Sequence, residues 1–264
     1  MSIDRAIIEC ELEYTKCFST FYENEDIIRF HDKELKDMYY HNYTYLKNTS
    51  CEIDLKRTIA DEISLGLLEK SNFCNILSNS INNPSFLSKL EYKPQISKNG
   101  YYSFDISYFS KLNHISDCEI KKVTNKEMIE DILFCDLQHD EKRLGKDFCT
   151  RRCYRRGQVY LSDKGVDSYI CYHNGNVVGN CDLFINNSIA KIEDFAVIPK
   201  SQRKGYGTSI LKALIEIAIK NNCHTIYLVT DEDDTAKEMY KKIGFNKIGE
   251  RTDLFFDISL SQKI

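Results

Sequence analysis

From Ser209 to about Asn221 the apolar residues Ile210, Leu211, Ala213, Leu214, Ile217 and Ala218 recur at three- and four-residue spacing, which predicts a helix with one buried stripe. Before it, the runs 168–172, 176–184 and 189–198 read as three strands joined by short turns. Asn174-Gly175 carries the residues of a two-residue type I′ turn, so these strands should form an antiparallel meander. Thr225 to Thr230 alternates apolar and polar positions and predicts the strand after the helix. That strand must run parallel to the one ending at Ile198, because a helix crosses over between them. Asp233 or Asp234 is the expected cap of a last helix, Gly244 its stop, and Phe245 to Ile258 a final hairpin. Cys118 to Val123 alternates as a first strand. Thr124, with Glu127 three residues on, predicts a boxed helix start running to about Gln138, and a second helix covers about Lys146 to Arg156.

The first hundred or so residues repeat this order in shorter form. A helix with Ile7, Ile8, Leu12 and Phe18 on one side precedes an aromatic strand from Met38 to Leu46. Leu55, Ile59, Ile63 and Leu67 mark a helix from Asp54 to Lys70. Asn75 to Leu77 reads as a short strand, Ser85 to Leu90 as a short helix, and Gly100 to Ile106 as a strand. Lys70, Asn72 and Ile76 match Lys220, Asn222 and Ile226 without a gap. Leu90-Glu91-Tyr92 matches Ile243-Gly244-Phe245, and Phe104-Asp105-Ile106 matches Phe256-Asp257-Ile258. The alternative is coincidence within a common βαβ pattern. The polar stretch Asn113 to Asp117 is the best boundary, giving units 1–114 and 115–264.

Between the strand ending at Ile198-Pro199 and the striped helix lies Gln202-Arg203-Lys204-Gly205-Tyr206-Gly207-Thr208. Two glycines one residue apart let the backbone turn tightly and gather N–H groups, and the helix start adds its positive dipole end, so an anion is expected there. No glycine stands between Leu46 and Leu55, so the first unit has no comparable turn. The order Val197-Ile198-Pro199, Gln202-x-x-Gly205-x-Gly207, helix, strand, and a short helix ending Tyr240-Lys241-Lys242-Ile243-Gly244-Phe245 resembles the GNAT superfamily of acyl-CoA-dependent N-acyltransferases over about residues 117–260. The resemblance implies an α/β fold of the mixed α+β kind: a mostly antiparallel sheet flanked by helices, preceded here by a smaller, degenerate unit of the same kind. It implies acetyl-CoA as co-substrate and an amine-bearing acceptor, and it requires no metal.

The resemblance also implies roles for residues. Backbone N–H groups of Arg203, Lys204, Gly205, Tyr206, Gly207 and Thr208 would hold the pyrophosphate, Gln202 opens that loop, and the strand around Phe195 and Val197 would meet the pantetheine amides. Tyr240, in the pattern Asp233-x-x-Ala236-x-x-x-Tyr240, would protonate the departing thiolate, a role suited to a phenol of ordinary pKa near 10. Asp233 stands where the family more often has asparagine. Glu193 is the candidate base. Period-two alternation sets it on the face of Phe195 and Val197, with Asp194 opposite, and the choice among Glu193, Asp194 and a water chain stays open. An ordinary exposed carboxylate and a packed core tyrosine are the plainer readings of the two.

Composition narrows the classes. The 264 residues are 42% hydrophobic and 29% charged, with a formal net charge of −4, so nothing draws the whole molecule to nucleic acid or anionic membrane. The start lacks a basic leader with a long apolar run and no stretch reaches the roughly 20 apolar residues of a membrane span, which reads as cytoplasmic. Eleven scattered cysteines read as buried reduced thiols; Cys149 and Cys153, the one close pair, lack a second half-site for a metal. Arg151, Arg152, Arg155 and Arg156 form a basic cluster, read either as a solvated helix face or as contacts to an acidic acceptor or cofactor phosphates. Three functions follow: an N-acetyltransferase working by direct attack in a ternary complex, an acyl-CoA sensor or partner-binding module without turnover, or a structural protein whose glycines only turn the chain. Nothing in the sequence sets the oligomeric state or names the acceptor.

Overall fold

Asp4 accepts a hydrogen bond from the Ala6 N–H at 2.9 Å and starts α1 (Arg5–Lys16), which buries Ile7, Cys10, Glu11 and Thr15. The computed structural model describes residues 3–47, 52–79, 81, 84–115 and 117–259. After α1 come β1 (Thr20–Glu23), β2 (Ile27–His31), β3 (Thr44–Leu46), α2 (Glu52–Leu68), β4 (Phe73–Ser78) and β5 (Gln95–Phe104), with 3₁₀ turns at Pro84–Lys89 and Ile106–Lys111. The remainder is β6 (Cys118–Lys122), α3 (Lys126–Leu144), α4 (Lys146–Tyr160), β7 (Val166–His173), β8 (Asn176–Asn186), β9 (Ile189–Val197), α5 (Tyr206–Lys220), β10 (Thr225–Asp231), α6 (Ala236–Lys242) and β11 (Phe245–Asp257). The mixed α/β class and the antiparallel meander β7–β8–β9 stand as expected, and Asn174 and Gly175 both take positive φ, as a type I′ turn requires.

Several boundaries differ from expectation. Of Met38 to Leu46 only Thr44–Leu46 is strand, because the Asn42 side chain folds the preceding residues into a turn by bonding Asp32 N, Leu35 O and Met38 O. Asn125, not Thr124, caps α3, accepting from Met128 N at 3.0 Å. Asp234 rather than Asp233 accepts at the start of α6, from Ala236 N. The expected final hairpin is one strand, β11, held straight by partners on both sides and bulged at Lys247/Gly249. The segment between β3 and α2, where no phosphate turn is expected, includes residues 48–51, which lie outside the described residues.

The strands form a single sheet in the order β1-β2-β3-β4-β11-β5-β10-β9-β8-β7-β6. Two parallel pairs, β3 with β4 and β9 with β10, each enclose a crossover helix, α2 and α5. The last strand of each half then crosses to the other: β5 pairs with β10, β11 pairs with β4, and β5 and β11 pair with each other. The two strand ends are alike. Asp105 accepts from Ser107 N at 2.9 Å, and Asp257 from Ser259 N at 3.0 Å. The gapless match of Lys70 to Lys220 is out of register, however. The helices end at Leu68 and Lys220, and the left-handed residues that follow, each with φ 57°, are Lys70 and Asn222.

One face of the central sheet is covered by α5 and α6, packing Ile210, Leu211, Leu214 and Phe245. The opposite face carries α1, α3 and α4. The basic cluster of α4 is paired with carboxylates. Arg151 forms a fork with Asp37 (2.6 and 2.9 Å), and Arg155 bonds Asp32 at 3.0 Å and the Phe18 carbonyl. Arg152 and Arg156 are buried against carboxylates of their own half, so the reading of this cluster as a solvated helix face gives way to a structural clasp. Cys149 and Cys153 are buried, and burial pushes the Cys153 thiol up to about 12, which keeps it protonated. Cys118 and Cys171 depart from the reduced-thiol expectation: they are joined across β6 and β7, with their Cα atoms 6.4 Å apart.

Candidate active site

The parallel ladder between β9 and β10 ends at Ile192 and Leu228, although both strands continue. At the same level β9 bulges against β8: Asn180 faces Ala196, yet Asp182 faces Glu193, so one residue of β8 spans two of β9. Asp194 takes φ 50° there, and the Asn180 amide holds the bulge by donating to the Asp194 carbonyl at 3.2 Å. Gly179 permits the close approach, since a Cβ would lie 2.4 Å from the Ala196 oxygen. The two strands therefore splay into a cleft, and loop 199–205 and α5 stand at its mouth.

The bulge changes the face of the candidate base. Glu193 shares its side with Lys191, 2.7 Å away, and Asp194 turns to the same side to pair with Arg156. Phe195 and Val197 project to the opposite face, where a Cβ on Gly207 would sit 3.0 Å from Phe195 Cζ and 3.5 Å from Val197 Cγ2. The alternation argument that grouped Glu193 with Phe195 and Val197 fails because the extra residue breaks the period of two.

On the Phe195 face, α6 delivers Tyr240, buried, with its ring in edge contact with Phe195 (6.2 Å between centroids) and Phe245 (5.9 Å). Burial first, then the Cys181 thiol and the Glu193 carboxylate, hold the Tyr240 phenol well above its ordinary pKa. It stays protonated at neutral pH. Asp233 is exposed and gives its N–H to Asp231 at 2.8 Å.

Gly205 begins α5 in the left-handed conformation (φ 89°, ψ −5°), and Arg203 is left-handed as well (φ 59°). The first N–H groups of a helix have no intrahelical partner, and no side chain caps those of α5. Arg203 and Lys204 are exposed beside them. This uncapped start, built on a residue whose positive φ excludes an ordinary side chain, fits a pyrophosphate. The Val197 carbonyl accepts from Gln202 Nε2 at 3.1 Å and from His139 Nε2 at 2.8 Å, which requires the ring proton on that nitrogen. Nothing in the sequence pattern singles out His139.

On the Glu193 face the cleft opens into a cavity of about 640 Å³ bounded by α1, the 37–43 turn, the α3–α4 corner, β9 and β10. Both halves of the chain build it. Glu11 of α1 is buried against Lys191, Arg251 and the Tyr227 hydroxyl. Burial alone would raise its pKa, but Lys191 and Arg251 outweigh that and hold the carboxyl below the usual range. Asp182, behind the bulge, is pushed up to about 7 by burial, partly countered by Arg156 and by a 2.6 Å bond from the Tyr160 hydroxyl.

Comparison with known proteins covers the same stretch of chain. The profile of the Acetyltransferase (GNAT) family matches residues 127–245, the span that includes the splayed strands, the start of α5 and Tyr240. That stretch carries a GNAT acetyltransferase domain. Over 241 residues the chain is 25% identical to the uncharacterized N-acetyltransferase CgeE of Bacillus subtilis (strain 168), covering 88% of this chain and 90% of that one. Two solved structures share the fold across nearly the whole length. A functionally unknown conserved protein from Staphylococcus epidermidis ATCC 12228 superposes with TM-score 0.77 at 20% identity (90% of this chain, 94% of that one). A tandem GNAT protein from the clavulanic acid biosynthesis pathway superposes with TM-score 0.59 at 9% identity (97% of each). The likeness therefore extends through the first half of the chain, beyond the family profile. Among the described residues no helix is long and apolar enough to cross a membrane.

Proposed function

We propose that the protein transfers an acetyl group from acetyl-CoA to an amine by direct attack within a ternary complex. The observation that carries this reading is the gap between β9 and β10, with an uncapped helix start at its mouth, a protonated tyrosine on one face and a cavity that holds Glu193 and Asp194 on the other. Acetyl-CoA, when bound, supplies an activated thioester carbonyl. The cradle of Arg203 to Thr208 would hold its pyrophosphate and Val197 its pantetheine arm. Glu193, directly or through water, would take the proton from an amine whose free pKa is near 10, and Tyr240 would give its proton to the sulfur as the carbon–sulfur bond breaks. The need for acetyl-CoA suits a cytoplasmic setting.

We also read the chain as two GNAT-like units, 1–114 and 115–264, of which the second binds the cofactor. The recurring strand–helix–strand order and the matching strand ends support this. Titration calorimetry tests both points. One acetyl-CoA should bind per chain, and Gly205→Asp should abolish binding in a folded protein, because its side chain and charge would fill the pyrophosphate position. Two equivalents bound, or unchanged affinity in the variant, would place the cofactor elsewhere. Tight acetyl-CoA binding without amine-dependent thiol release would favour a sensor over an enzyme.

A further inference from the structure

The cavity beside Glu193 has a peculiar charge arrangement. Lys191 is shared between Glu11 and Glu193, Arg156 between Asp182 and Asp194, Arg152 between Asp136 and Asp140, and Arg251 between Glu11 and Asp253. Each of these lining cations is divided between two carboxylates, of which Glu11, Glu193 and Asp194 line the cavity and Asp136, Asp140, Asp182 and Asp253 stand outside its lining. Asp231, where the end of β10 meets the cavity, accepts the Asp233 N–H and lies open to solvent. Arg143, also on the rim, is paired with Asp140 at 2.7 Å.

The lining also carries five aromatic side chains. Tyr14, Tyr39, Tyr40, Tyr43 and Phe148 face the space, and Lys191 already sits over the Tyr14 ring, 4.9 Å from its centroid. Ring faces and carboxylates attract the same kind of group, an ammonium. Size adds a second constraint. A volume of about 640 Å³ closed behind by α1 suits a metabolite-sized ligand rather than a folded protein surface.

Resting on the acetyl-transfer reading of this site, we propose that the acceptor is a small organic polycation: an amine that carries at least one further ammonium group besides the one acetylated. The reacting nitrogen reaches the cleft beside Glu193 and gives up its proton. The second ammonium remains charged and is held by Asp194, Asp231 and the tyrosine faces. An acceptor with a carboxylate or phosphate would meet, among the described lining residues, cations that are each already paired with a carboxylate.

Purified full-length protein is assayed for acetyl-CoA-dependent thiol release with 1,5-diaminopentane and spermidine against glycine, glutamate and a lysine-containing peptide, and each amine is titrated by calorimetry in the presence of coenzyme A. The polycations should show kcat/KM at least about tenfold above the zwitterionic and anionic amines, with KM rising as salt is added. Asp231→Asn should raise KM for spermidine several-fold with little change in kcat, which a purely structural role would not produce. Preference for glutamate, glycine or the peptide would overturn the acceptor class while leaving acetyl transfer intact. Spermidine that binds in the calorimeter without any amine-dependent thiol release would support the cavity's preference and overturn the transferase reading. Failure of both polycations to bind or react would sink the proposal.

Discussion

Tyr240 is a side chain whose motif and surroundings agree. The sequence pattern that ends in Tyr240-Lys-Lys-Ile-Gly-Phe predicts a phenol presented from a short helix, and the structure buries that phenol against Phe195 and Phe245 and keeps it protonated. If it protonates the leaving sulfur, Tyr240→Phe keeps the ring contacts and removes only the donor. Turnover and kcat/KM should then fall together by about a hundredfold, with acetyl-CoA affinity and folding unchanged. Wild-type turnover, measured where chemistry limits the rate, would make the residue a core aromatic and nothing more. Gly205 was equally legible, because its left-handed φ is a need that glycine alone meets without cost. Glu193 was legible as a residue but not as a direction. A bulge is invisible to a period-two argument, and the groups that define it, Gly179, Asn180 and Arg156, lie on two other elements.

At the scale of elements, α4 and α1 were the least readable, since their polar residues are partnered by segments far away in sequence. Charge runs on a helix usually face water, and here the run instead fastens one half of the chain to the other. Arg155 bonds Asp32, which is buried and also holds His41 at 3.0 Å. Arg155→Met would leave a buried carboxylate short of its main cation, so urea unfolding should show a loss of about 3 kcal/mol with an unchanged slope. A loss below about 1 kcal/mol would reduce the clasp to a surface contact.

Helix α1 makes a related demand through Glu11, whose folded pKa lies below its unfolded value near 4.3. For such a group the stabilisation is present above the unfolded pKa and disappears as pH falls through the folded one. Glu11→Gln should therefore be less stable than the parent at pH 7, while below about pH 4 the gap between the two narrows. Parallel acid limbs in thermal melts at a series of pH values would contradict this.

The whole molecule is organised by the exchange of β5 and β11. Hydrophobic periodicity gave both strands but not their neighbours, because an alternating strand fits any edge of suitable pleat, and the choice depends on which edges the rest of the chain leaves open. Without β5, the sheet of residues 115–264 would expose the edges of β10 and β11 and a row of unpaired backbone groups. Without β11, β4 would lose its antiparallel partner in the same way. The long β5–β11 ladder, from Phe245 opposite Phe104 to Phe255 opposite Gln95, ties the two exchanges together. Because α1 also packs beneath β9, the halves share a core as well as a sheet. Cutting the chain at 114/115 should accordingly give fragments that aggregate when made alone but co-purify as a one-to-one complex when expressed together. The intact protein should melt in one transition with equal calorimetric and van't Hoff enthalpies, since neither half closes its own sheet. A soluble, monomeric 115–264 fragment that binds acetyl-CoA as tightly as the full chain would show that the second half is self-sufficient, and the exchanged strands would then be a connection between domains rather than the basis of the fold.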